Sequence, residues 1–382
     1  MMKFSIILLL ALLPAAGISA RDTLATRLFE DAITRDVPPD RYVYNWRDAV
    51  LLKAFTDIYR SSPQERDSVA DYVAVAMTRV APAAHGKHPN GIASAVGFAF
   101  LKEIGRNTVQ TDEALERVLS QYQSIRRASN GACSHRPGTV ELWDDTLYMI
   151  GITLTGCFRA TGDTSFLKTF AGEILAHSEH LYDPGTGLWY HGWAESGFPT
   201  DDECCQYGWN CNPLHRNGEF WGRGNGWIAM SLADILEFLP DSDPMRKELE
   251  TMFKKMMKTL KKVQDRKSGL WRQLPLHTRD RENFTESSCT AMFGYAAAKG
   301  TRIGVLPSSY LEVAEKAYSG ITDNCLNVDC DGNLSVGKVC AGTCIGDKAY
   351  YYARRQTTGT ETYATGAVLM LANELSKINI TK

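Results

Sequence analysis

Twelve stretches of this 382-residue chain repeat apolar side chains at helical spacing, and strand-like alternation is scarce. The clearest runs from Trp227 to Leu239. There Ile228, Leu232, Ile235, Leu236 and Leu239 share one face, and Pro240 stops the run. The others lie near 23–35, 44–61, 64–82, 91–105, 110–128, 145–161, 164–181, 243–264, 286–299, 307–321 and 359–376. A helix with one apolar face must bury it against a neighbour, so twelve such helices predict six helical hairpins. A short echo supports a repeat: Asp183-Pro-Gly-Thr-Gly-Leu-Trp189 resembles Asp265-Arg-Lys-Ser-Gly-Leu-Trp271, and each follows a helix. Four long connections, 129–144, 182–222, 265–285 and 322–358, are rich in Trp, Gly and Cys. Loops of that length and composition predict ordered functional segments at one rim, and no interdomain linker is visible.

The chain starts with Lys3, an apolar run from Phe4 to Leu13 and small residues up to Ala20. This pattern predicts a signal peptide over residues 1–20 and a secreted mature domain over 21–382; the run is too short for a membrane span. All ten cysteines follow it, which in an oxidising compartment predicts disulfides rather than zinc, since no pair has C-x₂-C spacing. Cys325, Cys330, Cys340 and Cys344 crowd one loop, and Cys204, Cys205 and Cys211 another. Asn283, Asn333 and Asn379 each begin an N-glycosylation sequon. A net charge of −2 without a basic stripe excludes a nucleic-acid footprint. Oligomeric state is not legible.

Seven of the eight tryptophans fall between Trp143 and Trp271, where flat apolar rings suit stacking on sugars as well as loop packing. Asp144 and Asp145 stand together at a helix start. One can cap the helix, and burial beside a like charge raises the proton affinity of the inner carboxyl, as a general acid requires. His191 lies in the Trp-rich run Tyr190-His191-Gly192-Trp193. Arg223 sits in Trp221-Gly-Arg223-Gly-Asn225-Gly-Trp227, which opens a helix, and a guanidinium there can fork onto a carboxylate. No strand precedes these glycines, so a nucleotide-binding loop is excluded. Together the residues suit an acidic sugar. Neither a metal nor a cofactor is expected.

With these motifs the chain resembles glycoside hydrolase families 105 and 88, the unsaturated rhamnogalacturonyl and glucuronyl hydrolases, with family 105 favoured. The matching segments are Leu142–Met149, Tyr190–Trp193, Trp221–Met230, Gly269–Trp271, Thr285–Phe293 and Gly342–Asp347. The resemblance implies an all-α (α/α)₆ barrel. It also implies hydration of the C4=C5 double bond of a terminal unsaturated uronic acid on an oligosaccharide. By motif position Asp145 is then the general acid/base and His191 a polar contact to the uronide. Arg223 clamps a carboxylate or hydroxyl, and Trp143, Trp221 and Trp227 are stacking walls. Asp144 caps the helix or lifts the proton affinity of Asp145. The chain departs from the family in three places: 85–97 lacks a carboxylate, Ala194 follows His-Gly-Trp, and a Cys204–Cys211 insertion is present.

Two other readings stay open. An inverting glycosidase on the same barrel needs a second carboxylate about 6.5–9.5 Å from the first, for which Glu195 and Glu219 are the candidates. A sugar-binding protein that keeps the fold needs no turnover at all.

Overall fold

The computed structural model describes residues 20–197, 213–354 and 357–380. Its helices are α1 (Ala20–Asp31), α2 (Trp46–Ser61), α3 (Arg66–Val80), α4 (Pro89–Ala93), α5 (Val96–Glu103), α6 (Val109–Gln123), α7 (Asp145–Thr161), α8 (Ser165–Leu181), α9 (Gly222–Phe238), α10 (Arg246–Val263), α11 (Ser287–Arg302), α12 (Leu311–Asn324), α13 (Lys348–Arg354) and α14 (Thr362–Ile380). Helices α2, α4/α5, α7, α9, α11 and α14 each pack on the next, and α14 closes the ring on α2. Around them lie α1, α3, α6, α8, α10 and α12. This is an (α/α)₆ barrel.

The two rings differ as burial demands. In α9 every side chain from Gly222 to Leu236 is buried, whereas α10 buries only Leu249, Met252, Phe253, Met256, Met257 and Leu260, at helical spacing. The inner helices all run the same way. Their N-termini, and the long loops that lead from outer to inner helices, therefore gather at one mouth. The echo noted above is a structural repeat in those loops. Gly187 N donates to Asp183 O at 2.7 Å and Gly269 N to Asp265 O at 2.8 Å, with φ +78° and +72°. A side chain at Gly187 would strike α10, and one at Gly269 would strike α12, so each turn seats against the next outer helix.

The structure moves some boundaries. The helix expected from Trp227 starts at Gly222. The helical cost of its glycines, about 1 kcal/mol each, is outweighed by contacts too close for any Cβ. The single helix expected over 91–105 is two, α4 and α5. Between them the backbone tightens to i→i+3 bonds, Ala95 N to Ile92 O and Gly97 N to Ser94 O. Within 322–358 a helix, α13, and short strands occur.

At the opposite end of the barrel, the C-terminal ends of the inner helices carry an ion-pair plug. Lys299 Nζ lies 2.6 Å from Asp234 and 2.8 Å from Glu237. Arg302 bridges Glu237 and Glu374 at 2.6 and 2.7 Å. Lys299 and Arg302 hold the Glu237 carboxyl well below its ordinary range despite burial.

Two expectations need correction. The seven described cysteines, Cys133, Cys157, Cys289, Cys325, Cys330, Cys340 and Cys344, are all free thiols, so the spacing read as disulfides brings no described pair into a bridge. Cys204, Cys205 and Cys211 lie outside the described residues, as do residues 1–19 of the signal peptide expected over 1–20. Asn283 is not a glycan acceptor in the folded chain: it is fully buried, and its amide donates to Leu274 O and His277 O while accepting from Leu274 N. Asn333 is half-buried and bonded to Asp329, and the side chain of Asn379 is outside the description. Among the described residues no helix is long and apolar enough to cross a membrane.

Candidate active site

Strand pairing brings the acids to the histidine. Strand β1 (Glu141–Trp143) runs antiparallel to β2 (Gly192–Ala194) with Trp143 opposite Gly192, and Asp144 N donates to His191 O at 3.1 Å. Asp144 and Asp145 thus arrive at the start of α7 directly beside the His191 ring. Asp144 occupies the N-cap position, yet its side chain makes no capping bond and turns into the interior. The capping role read from sequence does not hold.

His191 Nε2 lies 3.2 Å from Asp145 Oδ2 and 3.9 Å from Asp144 Oδ1. Its Nδ1 is 2.7 Å from the Tyr351 hydroxyl. With Tyr351 donating to Nδ1, the ring proton belongs on Nε2, facing the acids. Trp227 Nε1 donates to Asp145 Oδ1 at 3.1 Å. Asp144 and His191 are fully buried, while the Asp145 side chain keeps 17% exposure.

The electrostatics reverse one expectation. Burial and the neighbouring Asp145 charge push the Asp144 carboxyl well above its ordinary range. Asp145 is desolvated too, but the His191 ring beside it pulls its proton affinity below the ordinary carboxylate value. Burial lowers the proton affinity of His191 itself. Burial and charge thus push the two acids apart, the enclosed Asp144 toward its neutral form and Asp145, beside His191, toward its charged form.

Within Trp221–Trp227, Trp221, Arg223, Gly224 and Asn225 each have a discernible task. The Trp221 ring stacks on His191 at 4.4 Å. Arg223 donates to Cys340 O, to Ala341 O at 2.9 Å and to the Tyr363 hydroxyl at 3.3 Å, and its guanidinium lies between the Trp221 and Tyr363 rings. Gly224 leaves room for Asp144: a Cβ there would stand 2.1 Å from Oδ2. Asn225 clamps both backbone groups of Trp189, accepting from N at 2.8 Å and donating to O at 2.9 Å.

All seven residues singled out from sequence therefore meet in one constellation, but several do other work than expected. Trp221 and Trp227 are 1% and 0% exposed and face His191, Asp145 and Tyr148 rather than open space. Arg223, fully buried, spends its fork on loop carbonyls and so ties the 340–341 loop to α9. His191 orients Asp145. Trp143 packs edge-on to His191 and flat on His135, with its N–H bonded to Glu141. Of the proposed second acids, Glu195 accepts from Ser129 N at 2.7 Å and Glu219 meets His277 Nε2 at 2.7 Å. Neither is hydrogen-bonded to Asp145.

Sequence reading passed over Trp46, His135, Tyr351 and Tyr363. Trp46, half-buried at the first turn of α2, stacks on Tyr363 at 4.9 Å and stands edge-on to Trp227, offering an aromatic face at the mouth. Its position opening an inner helix was the available signal. Asp144, Asp145 and His191 also bring ligand atoms within 4.8 Å of one another, the one such cluster among the described residues.

A helical-hairpin barrel with a pair of aspartates beside a buried histidine at its mouth has the build of a glycoside hydrolase. The model of Glycosyl Hydrolase Family 88 matches residues 24–379. The unsaturated rhamnogalacturonyl hydrolase YesR of Bacillus subtilis is 22% identical over 88% of this chain and 90% of its own length. An unsaturated 3S-rhamnoglycuronyl hydrolase of Alteromonas sp. is 26% identical over 69% of this chain and 60% of its own. Among solved structures, a family 105 glycoside hydrolase of C. acetobutylicum superposes with TM-score 0.78 at 22% identity, over 92% of this chain and 99% of that one. The chain belongs to glycosyl hydrolase family 88, within the family 88 and 105 group of unsaturated uronyl hydrolases.

Proposed function

We propose that this protein removes a terminal 4,5-unsaturated uronic acid from rhamnose in lyase-generated oligosaccharides, with Asp145 as the acid and base. The observation that carries this reading is the geometry of the acid pair: a partly exposed Asp145, held by His191 at 3.2 Å and Trp227 at 3.1 Å, beside a fully buried Asp144. The relatives' names, rhamnogalacturonyl and 3S-rhamnoglycuronyl, favour rhamnose as the neighbouring sugar. The signal-peptide pattern in the sequence of residues 1–20 supports secretion.

The chemistry needs one mobile proton. The unsaturated uronide is a vinyl ether. Its anionic carboxylate, arriving beside Asp145, raises that residue's proton affinity and draws the shared proton across from Asp144. Asp145 delivers it to C4, positive charge develops at C5, and water adds there while returning its proton to Asp145. The hemiketal so formed opens, and the glycosidic bond breaks with it. No nucleophile at C1 is needed, in contrast to two-carboxylate glycosidases. The positive ends of the inner helix dipoles point at the mouth and favour an anionic sugar.

The test is the ultraviolet absorbance of unsaturated oligosaccharides as purified protein is added, since hydration destroys the chromophore. Absorbance is expected to fall on pectin-derived substrates. No loss with any unsaturated uronide, from folded protein, would sink the reading and leave a sugar-binding protein.

The proton arrangement fixes a pH profile. Activity requires one proton on the pair, so kcat/KM against pH is bell-shaped. The acid limb reports the second protonation, at Asp145, and the alkaline limb the loss of the shared proton. The charged or titratable groups facing Asp145 are Asp144, His191, His135 and Arg223. His191→Gln removes the largest influence that holds Asp145 charged, so its proton affinity rises and the acid limb moves to higher pH. An unmoved acid limb would show that His191 does not set the Asp145 titration.

A further inference from the structure

The acid pair has a feature that the hydration chemistry does not use. Asp144 Oδ1 and Oδ2, Asp145 Oδ2 and His191 Nε2 are all buried, and none of these atoms has a hydrogen-bond partner. His191 Nε2 stands 3.2 Å from Asp145 Oδ2 and 3.9 Å from Asp144 Oδ1, yet neither approach has the direction of a hydrogen bond. The three side chains bring ligand atoms within 4.8 Å of one another. Buried polar atoms left unpaired are costly, and an ion between them is a physical reason for several to gather at one point.

The donor set is that of a transition metal. Carboxylate oxygens and an imidazole nitrogen suit zinc, which holds such ligands at about 2.0–2.2 Å in a tetrahedron. Two ligands of one such ion lie roughly 3.4 Å apart, so the 3.2 Å approach already fits and the 3.9 Å one needs a shift of about half an ångström. A hard ion such as calcium or magnesium prefers an all-oxygen shell, which the imidazole interrupts. The outer contacts agree. Trp227 Nε1 holds Asp145 Oδ1 at 3.1 Å and leaves Oδ2 free. The Tyr351 hydroxyl, 2.7 Å from His191 Nδ1, can accept the ring proton there and so leave Nε2 bare for a metal. Among the described residues, His191 is the one basic side chain within ion-pair distance of either acid. Arg223 is turned to the carbonyls of Cys340 and Ala341. The 17% exposure of the Asp145 side chain gives an ion a way in.

We propose that Asp144, Asp145 and His191 form a binding site for a divalent transition-metal ion, with zinc the ion that the donor set fits best. Its effect rests on the reading of the site as an unsaturated uronyl hydrolase. The ion occupies the Asp145 oxygen that faces His191 and displaces any proton held between the acids, so the metal-bound form is inactive.

Zinc binding and turnover are measured separately on chelator-treated protein. Calorimetry with zinc chloride is expected to show a single site, and cobalt chloride in its place to give the visible bands of a four-coordinate ion. Asp144→Asn and Asp145→Asn, both isosteric, are each expected to weaken zinc by at least roughly 100-fold. Tyr351→Phe, which alters only the outer contact, is expected to weaken it about 10- to 100-fold. The seven described free thiols are a competing class of ligand, and cobalt held by them shows an intense near-ultraviolet sulfur band. Affinity retained by both aspartate variants with native circular dichroism, a sulfur band, or no binding at all overturns the metal site. Turnover of an unsaturated uronide is then followed by absorbance. Half-inhibition at the zinc concentration that half-fills the site, reversed by chelator, supports the inactive metal-bound form. Turnover unmoved by zinc that fills the site overturns that form. Zinc binding at the three residues without turnover in chelator-treated protein keeps the metal site and rejects the hydrolase reading.

Discussion

Asp145→Asn is expected to lower kcat by roughly 100- to 10,000-fold, the range that a positioned general acid supplies, while leaving the barrel folded and sugar binding largely intact. The asparagine is isosteric and can still accept from Trp227 Nε1, so the local packing survives. What is lost is the partly exposed carboxylate of the acid pair. The buried Asp144 cannot replace it, since it is fully enclosed behind Gly224 and His191. Absorbance loss, far-ultraviolet circular dichroism and disaccharide binding are measured on the same preparation. Turnover within threefold of the parent would remove Asp145 from the mechanism.

Lys299→Ala is expected to cost roughly 3–5 kcal/mol of stability, because it leaves buried carboxylates without their cation. The Lys299 side chain is 5% exposed, and Asp234, at 6%, has no other cation within ion-pair distance among the described residues. Glu237 keeps Arg302 and the more distant Arg159, so the loss concentrates on Asp234 and on Tyr295, whose hydroxyl donates to it at 2.6 Å. Denaturant unfolding measures the change. Lys316→Ala, which breaks an exposed pair with Glu312 on α12, is expected to leave the midpoint unmoved. Equal effects from the two substitutions would mean that the plug contributes no more than a surface pair. Since the plug lies at the far end of the barrel, Lys299→Ala is expected to spare the kcat of whatever fraction remains folded.

Much of the architecture was readable because inner and outer helices leave different marks. Helix α10 shows a regular apolar stripe, and α7, α9 and α11 show runs that are apolar on nearly every face. The glycine run before Trp227 misled the boundary. Intrinsic helix preference opposes Gly222, Gly224 and Gly226, and only the approach of Arg272, Asp144 and Met292 explains their place in a helix. The cysteine pattern also misled, because spacing along the chain says nothing of whether two thiols meet. Asn283 fits a glycosylation sequon by type, yet it is consumed by its own loop.

Residue types and spacing alone determined the six hairpins, the long loops and the seven residues that gather at the mouth. They could not determine roles, because a role depends on what faces each side chain. The β1–β2 register alone sets His191 against the two acids. Only the tertiary packing encloses Asp144 completely, favouring its neutral form, and leaves Asp145 partly exposed. The folding of the 340–341 loop onto α9 makes Arg223 a tie rather than a free clamp, and ring closure brings Trp46 and Tyr363 beside Trp227. These are contacts between segments far apart in the chain, and no local pattern encodes the low dielectric and close neighbours that they create.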